Sequence, residues 1–380
     1  MRIFFPIGAF YPSQIGGPCN SIYWHTSELK KHNIDIDIVT TTIGIKENEV
    51  KSDEFIQDKC GNVYYGKGGC KNIKTLLTAI NKVKTTDIIH LNSLFNFISI
   101  VVFFYSKLYY KKKVIIWSVR GELNERALKY SFWKKRIIMY LYKKSYKNII
   151  FHSTSEQETK DICISFKHSK IIQLPNLITP TKRYVKSDVK KDLLYVGRIH
   201  PIKAIHKIIE GLSLSEIFIK SDFKLLIVGK HENRHNDYIR SLEILIKEKK
   251  LEDKVEFRGH LIGKEKEIIF AKSYATLLLS ETENFGNVVL ESLNQGTPVI
   301  ASSGTPWSIL ESYKCGYHIS NDPTSISNAI NKIMTLDIKE YNKICNNSIR
   351  LLDDEFNVQY QISRWIDQYN LALIKSKSNK

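Results

Sequence analysis

No C-x-x-C pair occurs among the six cysteines, Cys19, Cys60, Cys70, Cys163, Cys315 and Cys345. Structural zinc clusters and thioredoxin-type redox chemistry are therefore not expected, and the thiols should be reduced, in a reducing compartment. Glycine and proline are too sparse for a collagen-like or low-complexity chain, at 18 and 9 in 380 residues. No apolar run reaches the ~20 residues of a membrane span. The most apolar stretch, Phe95 to Tyr105, covers about half of it. The first residues, Met1 to Pro6, enter a strand-like run without signal-peptide architecture, so no export leader is expected. G-x-G-x-x-G is missing too, which leaves a nicotinamide cofactor unsupported. Acid is the charge in short supply, 39 Asp and Glu against 57 Lys and Arg.

Apolar material is ample. At 43% hydrophobic residues the chain can offset its conformational entropy, so disorder is excluded as the main state. A length of 380 residues implies two domains of roughly 150–200 residues. The excess of +18 is lopsided. Residues 1–185 hold 29 basic and 14 acidic side chains, a net +15, whereas 186–380 hold 28 and 25, a net +3. Tyr105–Lys147 alone carries 13 basic and 2 acidic residues, interleaved with Tyr109, Tyr110, Tyr130, Phe132, Trp133, Tyr140, Tyr142 and Tyr146. Cations among aromatics suit an anionic membrane surface or nucleic acid, or else a solvated basic face over core aromatics.

Continuous apolar runs alternate with helical periodicity. Strands are expected at Arg2–Gly8, Asp35–Thr41, Asp87–Asn92, Val114–Val119, Asn148–Thr154 and Lys170–Pro175. Helices are expected between them, at Cys19–Lys31, Lys74–Lys84, Leu94–Tyr109, Glu125–Lys144 and Ser155–Ile164. Lys46–Asn72 and Arg120–Arg126 read as loops. Pro175-Asn176 and Pro180, followed by Lys182–Lys191, form a turn-rich connection. Winding restarts with strands at Leu193–Gly197, Phe223–Gly229, Val255–Gly259, Tyr274–Ser280, Pro298–Ala301 and Tyr317–Ser320, and closes on helices near Ile338–Leu352 and Glu355–Ile374. The fold class is α/β, two doubly wound halves. Ligands of such sheets bind beyond the carboxyl ends of the strands, so two facing halves would enclose a deep cleft.

Three segments carry the candidate chemistry. Ser280–Glu291 runs from a buried strand through a loop into a helix opened by the amides of Asn287, Val288 and Val289. Helix N-termini attract phosphate, and Glu283 and Glu291 flank this amide nest, placed to hold hydroxyls on either side of a bound diphosphate. Tyr195–Lys203 brings Arg198 and Lys203 off a strand end, two cations suited to neutralising a diphosphate as it departs. Gly16-Gly17 after the first strand lets backbone approach phosphate or sugar closely. Asp35-Ile-Asp37 matches a D-x-D metal motif but sits in a strand, where a structural role is expected. Asp353-Asp354-Glu355 reads as an acidic helix start.

Together these segments resemble the retaining, nucleotide-sugar-dependent glycosyltransferases of family 4, also called glycosyl transferases group 1, which have the GT-B fold. The resemblance rests on G-R-x-x-x-x-K at 197–203 and E-x7-E at 283–291. The Gly-Gly loop, the His90 strand, Arg120-Gly-Glu-Leu123, Thr154-Ser155-Glu156 and Pro175-Asn176 add to it. It implies an N-terminal acceptor-binding domain over 1–180, with a C-terminal helix of about 355–380 packed back onto it, and a nucleotide-sugar-binding domain over 186–354. Glu283, Arg198 and Lys203 take the catalytic roles. Glu283 holds donor-sugar hydroxyls, Glu291 the ribose, and Arg198 and Lys203 the diphosphate. Gly16, Gly17 and Phe285, Gly286, Asn287, Val288 and Val289 complete the donor site, with Arg258, Gly259, His260 and Leu261 near the base. Acceptor contacts fall to Arg120 and Glu122, which stand where many members place a histidine, and to His90, which at the end of a buried strand is open between packing and acceptor contact. The family usually has Gly after the lysine, where this chain has Ala204.

The resemblance further implies no cofactor and no obligatory metal, and a UDP- or GDP-sugar donor. The acceptor is a saccharide, lipid-linked, in O-antigen, capsule or exopolysaccharide assembly. The basic first half would rest on anionic lipid of the inner face of the cytoplasmic membrane. A soluble acceptor or epimerase chemistry is the same-fold alternative. Nucleic-acid binding is the different-class one; it is not expected, because it leaves Glu283, Glu291, Arg198 and Lys203 without a task.

Overall fold

The computed structural model describes residues 1–129, 132–184, 191–230 and 236–378. Tyr130 of the aromatic-rich stretch and residues 185–190 of the expected connection lie outside the described residues. The chain divides into two compact units, Met1–Thr179 with Val358–Lys380, and Pro180–Asn357.

The first unit is wound as β1 (Arg2–Ala9), α1 (Gly17–Lys31), β2 (Asp35–Thr41), β3 (Phe55–Asp58), β4 (Gly61–Gly66), α2 (Ile73–Thr85), β5 (Ile88–Asn92), α3 (Phe97–Tyr109), β6 (Val114–Ser118), α4 (Glu125–Lys129), α5 (Phe132–Ser145), β7 (Ile149–Ser153), α6 (Glu156–Ser165) and β8 (Lys170–Gln173). Its sheet has the order β3-β4-β2-β1-β5-β6-β7-β8. Only the β3–β4 pair is antiparallel. Side-chain alternation along β1 explains why both faces are dry. Ile3, Phe5 and Ile7 enter one core with Ile22 and Leu29 of α1, while Phe4 enters another with Val102 and Phe103 of α3.

The second unit is wound as β9 (Asp192–Val196), α7 (Ile205–Ser213), α8 (Glu216–Lys220), β10 (Lys224–Val228), α9 (Asn236–Glu248), β11 (Val255–Gly259), α10 (Gly263–Lys272), β12 (Ala275–Leu278), α11 (Asn287–Asn294), β13 (Val299–Ser302), α12 (Ile309–Ser312), β14 (Gly316–Ile319), α13 (Pro323–Met334) and α14 (Ile338–Glu355). Its parallel sheet has the order β11-β10-β9-β12-β13-β14. Leu193 and Tyr195 pack with Ile205, Ile208 and Ile330 on one face, and Leu194 packs with Phe270 on the other. The last helix, α15 (Val358–Ser378), returns to the first unit, where Ile362, Trp365 and Tyr369 join the core of β1 and α1.

Three expectations need correction. Lys46–Asn72 is not all loop. Val63-Tyr64-Tyr65 form a buried strand, and Gly61, at φ 121°, turns the chain where a Cβ would meet the Ile36 carbonyl oxygen at 2.6 Å. The helix expected from Leu94 begins at Phe97, because Asn96 caps it and the Leu94 and Phe95 amides are taken by Glu122. The stretch Glu125–Lys144 is helical on either side of residues 130–131, which lie outside the described residues. Asp353-Asp354-Glu355 ends a helix rather than starting one. Asp337 and Glu340 make the capping box of α14, and the three acids at its far end are paired with Arg183, Arg350 and the Tyr313 hydroxyl.

Candidate functional site

In the second unit, β9 runs out at Val196, and the chain leaves it through Gly197 and Arg198. The Tyr195 hydroxyl donates to the Arg198 carbonyl at 2.7 Å and steadies this exit. A Cβ on Gly229 would lie 1.7 Å from the Gly197 carbonyl oxygen, so the ends of β9 and β10 approach as only glycine allows. A single 3-10 turn, Pro201–Lys203, follows, with His200 Nδ1 accepting from the Ile202 amide at 3.1 Å. Ala204 then adopts φ 50° and starts α7. Lys203 is thus held at the junction of two short elements.

The loop after β12 lies against this junction. The Glu281 amide donates to the Ile202 carbonyl at 2.8 Å, and the Glu283 amide to the Gly304 carbonyl at 2.9 Å. A Cβ on Gly304 would meet the Glu281 carbonyl oxygen at 2.4 Å, so no other residue fits there without moving the loop. Two ion pairs result. Lys203 Nζ contacts Glu283 Oε2 closely, and Lys207 Nζ lies 2.6 Å from Glu281 Oε1. The side chains of Lys203 and Glu283 are 16% and 18% exposed, enough shielding to strengthen their attraction well beyond that of a surface pair.

Phe285 is buried; its ring packs 5.2 Å from that of Trp307, whose indole N–H donates to the Phe285 carbonyl. Gly286, at φ 82°, begins α11 without a side-chain cap. The Val289 amide is not free as expected, since it donates to the Gly286 carbonyl at 2.9 Å. Asn287 and Val288 stand in the first turn. Glu291, one turn further, is gripped by Lys266 of α10, at 2.6 and 2.8 Å from its two oxygens. At the end of β11, Arg258 is exposed and lies 2.5 Å from Glu256, and Gly259, at φ 69°, opens onto empty space. His260 is exposed and Leu261 half-buried. Partial desolvation, with the charges of Lys230 and Lys266, lowers the His260 pKa. The structure therefore gathers Lys203 with Glu283, and Glu291 with Lys266 and His260. Lys207, Glu281 and Lys266 had no signal in the sequence, because each is an ordinary charge on a helix face or loop until the fold pairs it.

In the first unit, Gly16 and Gly17 open α1. Gly16 has extended backbone, and a Cβ there would meet only Pro18, at 3.5 Å. Internal packing does not demand glycine at that position. His90 does not stand at an open surface. It is 2% exposed and lies inside a hydrogen-bonded chain with His25, Tyr369, Ser118 and His152. One end fixes every proton in that chain. His152 Nε2 faces the Leu174 carbonyl at 2.9 Å and must donate, so its Nδ1 accepts from Ser118 at 2.7 Å. Ser118 then accepts from His90 Nε2 at 2.8 Å, and His90 Nδ1 accepts from the Tyr369 hydroxyl at 2.6 Å. Tyr369 in turn accepts from His25 Nε2 at 2.9 Å. All three imidazoles are neutral in this arrangement, and burial pushes their pKa values down, that of His152 to about 3.

Arg120, at φ 61°, donates to Asn92 Oδ1 at 2.9 Å and to Asn176 Oδ1 at 2.7 Å. Glu122 turns inward and accepts from the Ser93 hydroxyl at 2.6 Å and from the Leu94 and Phe95 amides. Its burial raises its pKa. Asp35 and Asp37 meet Arg2 at 3.6 Å and Lys82 at 2.8 Å. All six cysteines are free thiols. Among the described residues no helix is long and apolar enough to cross a membrane.

Residues 181–351 match the family model for glycosyl transferases group 1. The O-antigen chain mannosyltransferase RfbU of Salmonella typhimurium is 27% identical over 175 residues, 45% of this chain and 47% of that protein. The N-acetyl-alpha-D-glucosaminyl L-malate synthase of Bacillus anthracis is 31% identical over 123 residues, 32% of this chain and 29% of that one. The matched stretch thus spans at most about half the length of these relatives. Among solved structures, sucrose-phosphate synthase from Thermosynechococcus elongatus superposes with a TM-score of 0.79 at 17% identity, over 98% of this chain and 99% of that one. Anabaena HepE in complex with UDP and glucose gives 0.78 at 16% identity, over 97% and 99%. Residues 181–351 are thus similar to glycosyl transferases group 1, in a chain that has the GT-B fold.

Proposed function

We propose that this chain is a retaining, metal-independent glycosyltransferase that moves a sugar from a UDP- or GDP-sugar to a lipid-linked saccharide. The product serves a bacterial surface polysaccharide, and the enzyme works at the inner face of the cytoplasmic membrane. The observation that carries this reading is the pairing of Lys203 with Glu283, from motifs 80 residues apart, next to the uncapped start of α11. A cation, a carboxylate and a helix N-terminus meet there, which suits a ligand with a diphosphate at one end and hydroxyls at the other. The mannosyltransferase relative and the UDP-bound neighbour support a nucleotide-sugar donor.

In the proposed reaction the bond from the anomeric carbon to the β-phosphate oxygen breaks, and the acceptor oxygen bonds to the same face. The acceptor's proton passes to the departing phosphate oxygen. Arg198 and Lys203 stabilise the charge that grows on the diphosphate, and Glu283 orients the sugar through its hydroxyls. Glu291 holds the ribose after exchanging its Lys266 contact for hydroxyl groups. Arg258–Leu261 border the base. Arg120, with Asn92 and Asn176, offers the acceptor a fixed set of polar groups. No step requires a cofactor or metal.

Thermal stabilisation by UDP, GDP and their sugars, with and without EDTA, tests the reading. A nucleotide at ~100 times its dissociation constant adds ~2.7 kcal/mol of stability. One nucleotide family should stabilise equally with EDTA present. If neither does, the donor site is wrong; if EDTA abolishes the effect, the metal-free mechanism is wrong.

A further inference from the structure

Helix α5 is the strangest surface of the first unit. Of its fourteen residues, Phe132–Ser145, only Tyr142 is fully buried, its hydroxyl donating to the Leu94 carbonyl at 2.6 Å. Ile138 and Met139 pack beside it against the core. These contacts settle which way the helix faces. The opposite arc carries Trp133, Ile137, Tyr140 and Leu141, with exposures of 72%, 64%, 57% and 42%. The spacing 133, 137, 140, 141 is that of one helical stripe, which Lys144 continues at its carboxyl end. Lys134, Arg136 and Lys143 are exposed on its flanks and Lys144 is exposed at its end, and Phe132–Ser145 contains no acidic residue. The Arg136 guanidinium lies 5.8 Å from the Trp133 ring, so cation and aromatic are already associated.

We propose that the outward stripe of α5 docks in the interface of an anionic phospholipid bilayer, the helix lying in the membrane plane. This deepens the location proposed above and does not depend on the transfer chemistry. The arc is apolar along its centre and cationic along its flanks, so Trp133, Ile137 and Leu141 reach the acyl boundary while the lysines meet lipid phosphates. Charge excludes a second copy of the chain, since two such faces would set four exposed cations of one helix against four of the other. Nucleic acid fits worse, because phosphate backbones leave three large aliphatic and indole groups in water. The carboxyl end of α3 meets the segment that follows α5, with Lys107 Nζ 2.8 Å from the Lys147 carbonyl. Leu108 and Tyr109 at that end of α3 are exposed as well.

Flotation of the full chain with phosphatidylglycerol-containing vesicles, against pure phosphatidylcholine vesicles, tests this at low and high salt. Binding should require the anionic lipid, weaken with salt, and shift Trp133 emission to the blue. Trp133→Ser with Ile137→Ser should release the protein from vesicles. Lys134→Glu with Lys143→Glu and Lys144→Glu should weaken binding on the order of a hundredfold, from ~1 kcal/mol per cation. All these side chains are exposed, and nucleotide stabilisation of the same preparations reports separately on folding and on the donor site. Three results would overturn the proposal: no vesicle binding by the parent protein, undiminished binding by both variants, or a dimer that the Ser variant dissolves. Binding of duplex DNA through the same lysines, with vesicles ignored, would assign the face to nucleic acid instead.

Discussion

Lys203 and Glu283 illustrate how much one pair of side chains carries. With the donor site as proposed, Lys203→Ala removes a charge that matters most when the diphosphate departs. Activity should fall about 100–1,000-fold, the cost of losing one preorganised stabilising group. Glu283→Gln should fall comparably while keeping the loop in place, because the Glu283 amide still holds the Gly304 carbonyl. Both variants should melt cooperatively; full transfer by either in a product assay rejects the assignment. At this scale the sequence is uneven evidence. Lys203 and Glu283 stand out because each lies in a spaced motif beside a strand end. Lys266 and Lys207 do not, since a lysine on a helix gains meaning only from the carboxylate the fold brings to it. Ala204 is the reverse case. A position usually held by glycine reads as a mild change, and the structure gives it φ 50°, a left-handed backbone that costs Ala about 1 kcal/mol.

Elements were more legible than sites. The continuous apolar runs of parallel strands, such as Val114–Ser118 and Leu225–Val228, cannot be mistaken because both faces of each sheet are covered. The β3–β4 hairpin escaped notice because β3 is mostly exposed and carries no alternation. The histidine chain escaped it entirely, since His25, His90, His152 and Tyr369 lie on four elements joined only in space. That chain has a consequence for pH. Unfolded histidines protonate near pH ~6.5, whereas the buried ones stay neutral well below it. The unfolded chain therefore binds more protons below pH ~6.5, and stability is lost as pH falls, by ~1.4 kcal/mol per unit for each histidine. For His152 that loss continues down to about pH 3. Urea midpoints measured from pH ~7.5 to ~5 should drop steeply for the first unit. A flat profile over that range means the imidazoles are not buried and neutral as described.

For the whole molecule, the order of the chain matters as much as its content. Residues 1–179 leave the first unit before its core is complete, and 358–378 return to finish it. Trp365 is 2% exposed, and its ring lies 4.7 Å from His25 and 4.6 Å from His152. Removing it together with Ile362 and Tyr369 opens a hole far larger than a single Trp→Ala change, which already costs about 3–5 kcal/mol. Such a loss is a large part of the ~5–15 kcal/mol that keeps a domain folded. The second unit loses nothing, because its core, from Leu193 to Ile333, is drawn wholly from between the two pieces of the first. Truncation after Asn357 should therefore unfold the first unit selectively. Calorimetry of the truncated chain should show one surviving transition, still raised by the nucleotide that stabilises the parent, and dye binding should report exposed apolar surface. If both transitions survive unchanged, α15 is an accessory to the first unit and the histidine chain does not depend on Tyr369. If both vanish, the two units fold as one, and the second cannot be treated as a separate nucleotide-binding body.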